Sequence, residues 1–283
     1  MPIKKRIVII GGGAAGFFTA NVLGEALNKE EVEIIVLEKT NKILSKVKVS
    51  GGGRCNVTNA CVLPKKLAKN YPRGEKELQK LFFTFNPSHT IEWFQKRGVE
   101  LKTEADNRMF PVSNSSQTIM DCFLNGASKY GVKLQKGVSI QTISKENYSW
   151  KISTETEEII ADFLVITAGS SESIWKLLKN LGHHIIPSIP SLFTFKLIDE
   201  KLKSLAGVSL PEVQVKIVGT KLAEQGAFLI THWGISGPAV LRLSAWGAIS
   251  LHDKNYEFKV HINFCQPITF EPVSYTDLTL PTT

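Results

Sequence analysis

The chain has 283 residues, of which 43% are apolar, so it is long enough to bury a core and to form more than one domain. No apolar run approaches the ~20 residues that span a bilayer, and the early first strand leaves no room for a signal peptide. Four cysteines are too few for a disulfide framework at this length, which favours a reducing cytoplasm without a membrane partner.

The net charge of +8 is the kind that attracts nucleic acid. The basic residues are scattered, however, apart from Lys4–Arg6 and Lys65–Lys66, and neither group is interleaved with aromatic residues. The sequence therefore predicts a solvated basic surface that suits an anionic cofactor, with no nucleic acid as partner.

The first predicted elements are a buried strand, a glycine turn, a helix and a second buried strand that ends in an acid. In a dinucleotide-binding unit, the first glycine makes the turn, the second lets backbone N–H groups approach a diphosphate, and the third packs the helix on the sheet. The helix dipole attracts the phosphates, and the acid holds a ribose. We expect the ADP half of a cofactor to contact Gly11, Gly13, Ala14, Ala15, Gly16, Glu38 and Lys39.

A second glycine-rich loop follows at Ser50–Asn59. Its three adjacent glycines and short polar side chains suit contact with a phosphate, a ribityl chain or the edge of a flavin. We assign this neighbourhood to the diphosphate and flavin, through Lys46, Gly51, Gly52, Gly53, Arg54, Cys55, Asn56 and Thr58.

Three amphipathic helices are predicted next, with Asn86 as the N-cap of the second. They cover residues 75–85, 87–98 and 117–130, and the last of them makes Cys122 a small core residue. Strands are predicted at 132–134, 139–143, 148–153 and 159–167. By resemblance to similar folds, the backbone around Ile140 is expected to touch the adenine. The turn at Ala168 and Gly169 is expected to close the far side of the cofactor.

The pattern changes at Pro187–Pro190. Beyond it, strands with little intervening helix are predicted at 192–197, 213–218, 227–231 and 256–264. This favours a boundary near residue 190 and a second domain that is a β-barrel or β-sandwich. The tail at 273–283 does not continue this pattern and looks like non-native read-through.

Five motifs together resemble the BaiN/YhiN-like flavoproteins, also labelled an aminoacetone oxidase family. They are Gly11–Gly16, Ser50–Asn59, Arg108–Ser113, Pro190–Leu192 and Thr231–Leu241. The resemblance extends from about residue 3 to about residue 268, and its family continues beyond the end of this chain. A truncated reading frame that binds FAD weakly is therefore expected.

The resemblance implies an α/β fold with FAD as cofactor. A glutathione-reductase-like Rossmann FAD-binding domain would cover residues 1–190, and an incomplete inserted β-rich domain would cover 191–272. It further implies an oxidoreductase that acts on a small molecule by hydride transfer through the flavin, like a bile-acid enone reductase. NAD(P)H is a candidate electron donor, although the single dinucleotide motif leaves oxygen or another acceptor open. No prediction of oligomeric state follows.

His232 is the candidate catalytic residue, because it lies in a glycine-bounded motif and histidine transfers protons near neutral pH. A purely structural role in a turn is an equally good interpretation. No spacing typical of metal ligands occurs.

Two alternative functions remain open. Cys55 and Cys61 superficially resemble the redox pair of flavin disulfide reductases, but five residues separate them instead of four, so a bridge needs irregular backbone. The other alternative is an FAD-binding protein that has no catalytic activity or that modifies RNA.

Overall fold

The computed structural model describes residues 4–264, which form two compact units that divide between Ile185 and Ile186. The sequence alone suggested a boundary near residue 190. The predicted tail at 273–283 and the end of the predicted second domain lie outside the described residues.

The first unit alternates strands and helices. Its strands are β1 (Lys5–Ile10), β2 (Val32–Glu38), β3 (Thr58–Asn59), β4 (Leu101–Thr103), β5 (Arg108–Pro111), β6 (Lys133–Lys136), β7 (Ile140–Glu146), β8 (Ser149–Thr154), β9 (Glu158–Ala161) and β10 (Phe163–Ile166). Its helices are α1 (Ala14–Ala26), α2 (Ser45–Val49), α3 (Pro64–Ala68), α4 (Glu75–Thr84), α5 (Pro87–Gln95), α6 (Ser116–Lys129) and α7 (Glu172–Asn180).

A parallel sheet with the strand order β10-β1-β2-β6 lies at the centre of this unit. Its central strands are continuous apolar runs because both faces are covered. Val8 and Ile10 belong to the core cluster that includes Ile152 of β8, whereas Ile9 clusters with Ala20 of α1. Since the strands are parallel, the glycine turn after β1 and the acid that ends β2 meet at one edge.

Helix α6 packs against α1 through a buried polar contact. The Asn21 side chain donates to the carbonyl oxygens of Phe17, at 2.8 Å, and of Phe123, at 3.0 Å. Gly126 permits this approach, because a Cβ there would lie 1.8 Å from the Asn21 amide oxygen. The predicted inward position of Cys122 is confirmed.

The predicted start of α5 is confirmed. The Asn86 side chain accepts a hydrogen bond from the Ser88 N–H at 2.9 Å, and Pro87 occupies the first helical position. This arrangement satisfies one of the free N–H groups of the helix and places proline where its missing N–H costs nothing.

The prediction of one strand over 159–167 is wrong. The segment divides at Asp162 into β9, which pairs antiparallel with β8 in the sheet β7-β8-β9, and β10, which pairs parallel with β1. The Asp162 carboxylate accepts from the Arg6 N–H at 2.8 Å and from the Lys5 ammonium, also at 2.8 Å. These bonds fix the point at which the chain passes from one sheet to the other.

A third sheet of the first unit has the strand order β3-β5-β4.

The second unit is an antiparallel sheet with a long helix. Its elements are β11 (Phe195–Lys196), α8 (Glu200–Lys203), β12 (Ser209–Ile217), β13 (Ala223–Thr231), β14 (Gly234–Ser236), α9 (Pro238–Asp253) and β15 (Val260–Asn263), with the strand order β11-β14-β13-β12-β15. Alternate residues of β12, namely Val213, Val215 and Ile217, are fully buried, as one face of a half-covered sheet requires.

The expectation of little helix in this unit is wrong, because α9 runs for 16 residues. Gly237 has a φ of +98° and Pro238 occupies the first helical position, which together start the helix sharply. Val240, Leu243 and Leu251 then recur at helical spacing and are completely buried.

Candidate functional site

The turn between β1 and α1 depends on two glycines that tolerate no side chain. Gly11 has a φ of +116°, and a Cβ there would lie 2.6 Å from the Thr167 carbonyl oxygen. At Gly16 a Cβ would lie 1.9 Å from the Gly11 carbonyl oxygen. The first turn of α1 therefore rests directly on the loop that leaves β1.

Gly13 is different, because a Cβ built on it would meet no atom within 4 Å. It is the N-cap residue of α1, no side chain caps the helix, and the next residues, Ala14 and Ala15, are exposed. The first N–H groups of a helix have no partner within it, and the helix dipole makes them an anion site. The open space above Gly13 is thus suited to a phosphate group.

Glu38 closes the turn from the end of β2. One of its carboxylate oxygens accepts from the Gly12 N–H at 2.9 Å, and the other accepts from the Thr40 N–H at 2.9 Å and hydroxyl at 3.0 Å. Gly12 is buried. Its hydrogen bond to Glu38 ties the glycine turn to the end of β2. The acid is therefore fixed in place beside the glycines.

A cavity of about 350 Å³ adjoins Glu38. It is lined by Gly11, Glu38, Lys39 and Ile140, which were predicted on the adenosine side, and by Ala168, which was predicted to close the far side of the cofactor. Its other polar lining residues were not predicted from the sequence; they are Thr40, Ser139, Gln141, Ser171 and Ser173. The sequence feature that could have indicated these residues is the occurrence of short polar side chains next to the ends of strands.

A second cavity, of about 460 Å³, begins at the N-terminus of α1. The predicted residues Ala14, Ala15, Lys46, Cys55 and Asn56 line it. Most of its wall is apolar. The aromatic residues that contribute to this wall were not predicted from the sequence; they are Phe18, Phe85, Phe94 and Phe123. Such a wall suits a flat, largely apolar ring system.

Lys46 brings a positive charge to the loop after β10. Its ammonium donates to the Ser170 hydroxyl at 3.1 Å and would lie 3.7 Å from a Cβ at Gly169. Gly169 has a φ of +58°, so this loop also bends where a side chain is disfavoured. Lys46 and the Ala168–Gly169 turn, which were predicted separately, therefore lie together.

The Ser50–Gly53 segment forms a short 3-10 turn in which Gly51, Gly52 and Gly53 all have positive φ. All three glycines are exposed, but none of them lines either cavity. Gly51 packs against Phe110, since a Cβ there would lie 2.8 Å from the ring. The structure therefore places the three glycines beside the second cavity, which is lined by Ser50 before them and by Cys55 and Asn56 after them.

Arg54 and Thr58 also lie outside both cavities. The Arg54 guanidinium forms an ion pair with Glu104 at 2.5 Å and stacks on the Phe110 ring at 4.0 Å. Thr58 pairs with Met109 within the small sheet. Through these contacts both residues hold the glycine-rich loop against the small sheet. The positions of these residues in the sequence did not indicate such contacts.

The three cysteines of the described residues are free, and Cys55 and Cys61 line different cavities. Burial raises the pKa of the Cys55 thiol against the opposing effect of a hydrogen bond from Ser50, and burial likewise raises the pKa of Cys122. Redox-active cysteines have lowered pKa values instead. The geometry therefore does not support the disulfide alternative.

Iodoacetamide at neutral pH is expected to alkylate Cys61 at least about tenfold faster than Cys55, because Cys61 is partly exposed and Cys55 is buried with a raised thiol pKa. Mass spectrometry of the digested protein measures the rate at each cysteine, and the reaction in urea, where the rates should converge, is the control. Similar native rates, or a Cys55–Cys61 disulfide peptide without reductant, would favour the disulfide alternative.

His232 lies in the turn that joins β13 to β14 in the second unit, and its side chain is exposed. The turn is closed by Thr231, whose hydroxyl donates to the Gly234 carbonyl oxygen at 3.1 Å and accepts from its N–H at 3.2 Å. The histidine itself is thus not needed to close the turn. Its assignment to proton transfer stays a prediction.

Within residues 4–264 no group of three or more His, Cys, Asp or Glu side chains is placed to hold a metal ion. Over the same residues, the helices are all too short or too polar to cross a membrane.

The sequence matches the HI0933-like protein Rossmann domain over residues 5–231 and the HI0933-like protein barrel and H2TH domain over residues 189–274. The two matches confirm the predicted fold class, a Rossmann-like α/β domain followed by a barrel domain.

Three relatives carry names that describe an activity. The chain is 26% identical to the 3-dehydro-bile acid delta(4,6)-reductase of Clostridium scindens, over 92% of this chain and 64% of that protein. It is 28% identical to the ribosomal RNA dihydrouridine synthase of Escherichia coli, and 30% identical to that of Haemophilus influenzae, each over 84% of this chain and 60% of the relative.

The chain thus spans less than two thirds of the length of each of these relatives. The Rossmann match alone covers most of the chain, and the bile-acid reductase agrees with the resemblance that the five motifs predicted. The chain belongs to the HI0933-like family.

Proposed function

We propose that the chain binds FAD and is part of a flavin-dependent reductase that saturates a carbon–carbon double bond conjugated to a carbonyl. The observation that carries the proposal is the open, uncapped N-terminus of α1 at Gly13, with one polar cavity beside Glu38 and one apolar cavity beside Ala14. A dinucleotide with a polar adenosine end and a flat ring at the other end matches this arrangement.

The residues present fit FAD at each of these places. Backbone N–H groups at Gly13, Ala14 and Ala15 would hold its diphosphate, and Lys46 would add a positive charge. Glu38, Lys39 and Ile140 would hold its adenosine, with Ala168 and Gly169 beside them. Cys55 and Asn56 would border the flavin. When bound, FAD supplies hydride transfer at its N5 atom.

The names of the relatives support the type of reaction. A delta(4,6)-reductase acting on a 3-dehydro-bile acid and a synthase that makes dihydrouridine both saturate a double bond that is conjugated to a carbonyl group. Hydride adds at the carbon remote from the carbonyl, and a proton is then needed at the adjacent carbon. We assign the donation of this proton to the exposed imidazole of His232. We assign NAD(P)H as the ultimate source of the hydride.

RNA is a second candidate substrate, and two observations favour it. Both the Escherichia coli and the Haemophilus influenzae relatives act on ribosomal RNA according to their names, and this chain carries a net charge of +8. The expectation that nucleic acid is not a partner is therefore not supported. The uracil ring of uridine contains the same conjugated double bond as an enone.

The test is to load the purified chain with FAD, to follow flavin bleaching by NADH and by NADPH without oxygen, and then to add an acceptor. We expect a 4-en-3-one steroid or a uridine oligonucleotide to gain two hydrogens, as measured by mass spectrometry, while the corresponding saturated ketone does not react. His232→Asn should slow acceptor reduction and change its pH profile without changing bleaching. Failure to bind FAD would contradict the proposal.

A further inference from the structure

A third cavity of the first unit lies apart from the cofactor site. Its volume is about 620 Å³, and it is bounded by the segment after β3, by α3 and by the turn before β5. It shares no lining residue with the cavities beside Glu38 and Ala14. A ligand held here is therefore not the cofactor assigned above.

Three asparagine side chains on its wall offer complementary hydrogen-bonding groups. The Asn59 oxygen accepts from the Cys61 N–H at 2.9 Å, which leaves its amide nitrogen as a donor. The Asn70 nitrogen donates to the Lys66 carbonyl oxygen at 3.1 Å, which leaves its oxygen as an acceptor. No hydrogen bond of the Asn107 side chain occurs within residues 4–264. Donors and acceptors side by side match the edge of a nucleobase.

An aromatic ring on the same wall is available for stacking. Tyr71 is 41% exposed, and its ring packs against the tilted ring of Phe82, with a distance of 5.6 Å between the ring centres. Nucleobases that leave a helical stack are commonly held on aromatic side chains in this way. A ring that is already supported needs little further ordering when a base binds.

The segment that contributes α3 to the cavity wall is strongly basic. Between Lys65 and Lys80 the chain has six basic and two acidic residues, so this segment supplies half of the net charge of +8. All six basic side chains are exposed, and Lys66 lines the cavity. Asp106 places a carboxylate on the wall, which disfavours a phosphate inside. Phosphates would therefore remain outside, on the lysines.

We propose that this cavity takes one nucleobase of a single-stranded RNA, while Lys66 of α3 and Lys69, the residue that directly follows α3, hold the adjacent phosphates. The inference deepens the proposed function and rests on its RNA substrate. Because the cavity is separate from the cofactor site, the base bound here is a neighbour of the base that is reduced, and it positions the strand.

The charge contribution is tested by fluorescence anisotropy of labelled oligouridine at several salt concentrations. Lys66→Gln with Lys69→Gln should weaken binding about tenfold at low salt, and should reduce the slope of log affinity against log salt by ~1.4, at ~0.7 for each phosphate contact on a single strand. The matched control is Lys176→Gln with Lys179→Gln, two exposed lysines at the same spacing on α7, which should change affinity less than twofold.

The base contribution is tested in the same assay. Tyr71→Ala should weaken oligouridine binding about tenfold, as for the loss of one stacked base, whereas Tyr71→Phe should bind normally. The control Tyr148→Ala, at a tyrosine that is 95% exposed, should have no effect. An abasic oligonucleotide should bind the unmodified chain weakly and should not respond to Tyr71→Ala. Circular dichroism checks that each variant is folded.

Several results would overturn the proposal. They are absence of RNA binding, equal losses in the two lysine pairs, and equal affinity for abasic and uridine strands. Competition by polyglutamate as effective as that by RNA at equal charge would assign the surface to an acidic protein instead. The assay contains no reductant, so its outcome is independent of enone reduction. Reduction of a steroid enone without RNA binding would overturn this inference alone.

Discussion

Gly16→Ala is expected to lower the free energy of unfolding by at least about 3 kcal/mol, a cost at the upper end of that for overpacked sites. The added Cβ would lie 1.9 Å from the Gly11 carbonyl oxygen and 3.0 Å from the Thr167 hydroxyl. The first contact is with backbone, so a side-chain rotation cannot relieve it. The measurement is urea unfolding followed by circular dichroism.

Gly13→Ala is the matched control for this prediction. It adds the same methyl group three residues earlier, where no atom lies within 4 Å of the new Cβ. Its expected cost is about 1 kcal/mol, because alanine is a poor N-cap residue. Equal unfolding free energies for the two variants would show that α1 does not rest on the turn as the structure describes.

The local features of the cofactor site could be predicted from the sequence. These features are glycines at fixed spacing, an apolar run before them and an acid at the end of the next strand. They all belong to one βαβ unit, where neighbours in the chain are also neighbours in space. The same holds for the Asn86–Pro87 helix start and for the buried face of α6 around Cys122.

Contacts between distant segments could not be predicted in this way. Arg54 binds Glu104, which is 50 residues away, and the aromatic wall beside Ala14 combines helices α1, α5 and α6. An amphipathic helix shows that one face is buried but not which helix or cavity covers it. For the same reason, the sequence does not place Tyr71 and Asn107 on one cavity wall with Lys66.

The errors in secondary structure have related causes. The apolar run at 159–167 contains two strands that belong to different sheets, and hydrophobic periodicity carries no information about the pairing partner. Helix α9 was missed because the β-rich pattern around it dominated the interpretation, although Gly237 and Pro238 are a usual helix start.

Gly13→Val is expected to weaken FAD binding about thirtyfold, or ~2 kcal/mol, which is the value of one charge-assisted hydrogen bond in proteins. The valine side chain would fill the open space above the N-terminus of α1, where the diphosphate is proposed to lie. The protein should remain folded, because valine adopts the extended backbone of this residue without strain. Titration of the purified chain with FAD, followed by flavin fluorescence, measures the effect.

Two smaller ligands locate the effect within the cofactor. ADP contains the diphosphate and should lose affinity in the Gly13→Val variant in the same proportion as FAD, whereas adenosine lacks the diphosphate and should bind the variant and the unmodified chain equally. If adenosine binding also fell, the valine would be disturbing the cavity beside Glu38 instead. If FAD binding did not change, the diphosphate would lie elsewhere, and the proposed cofactor site at the N-terminus of α1 would be wrong.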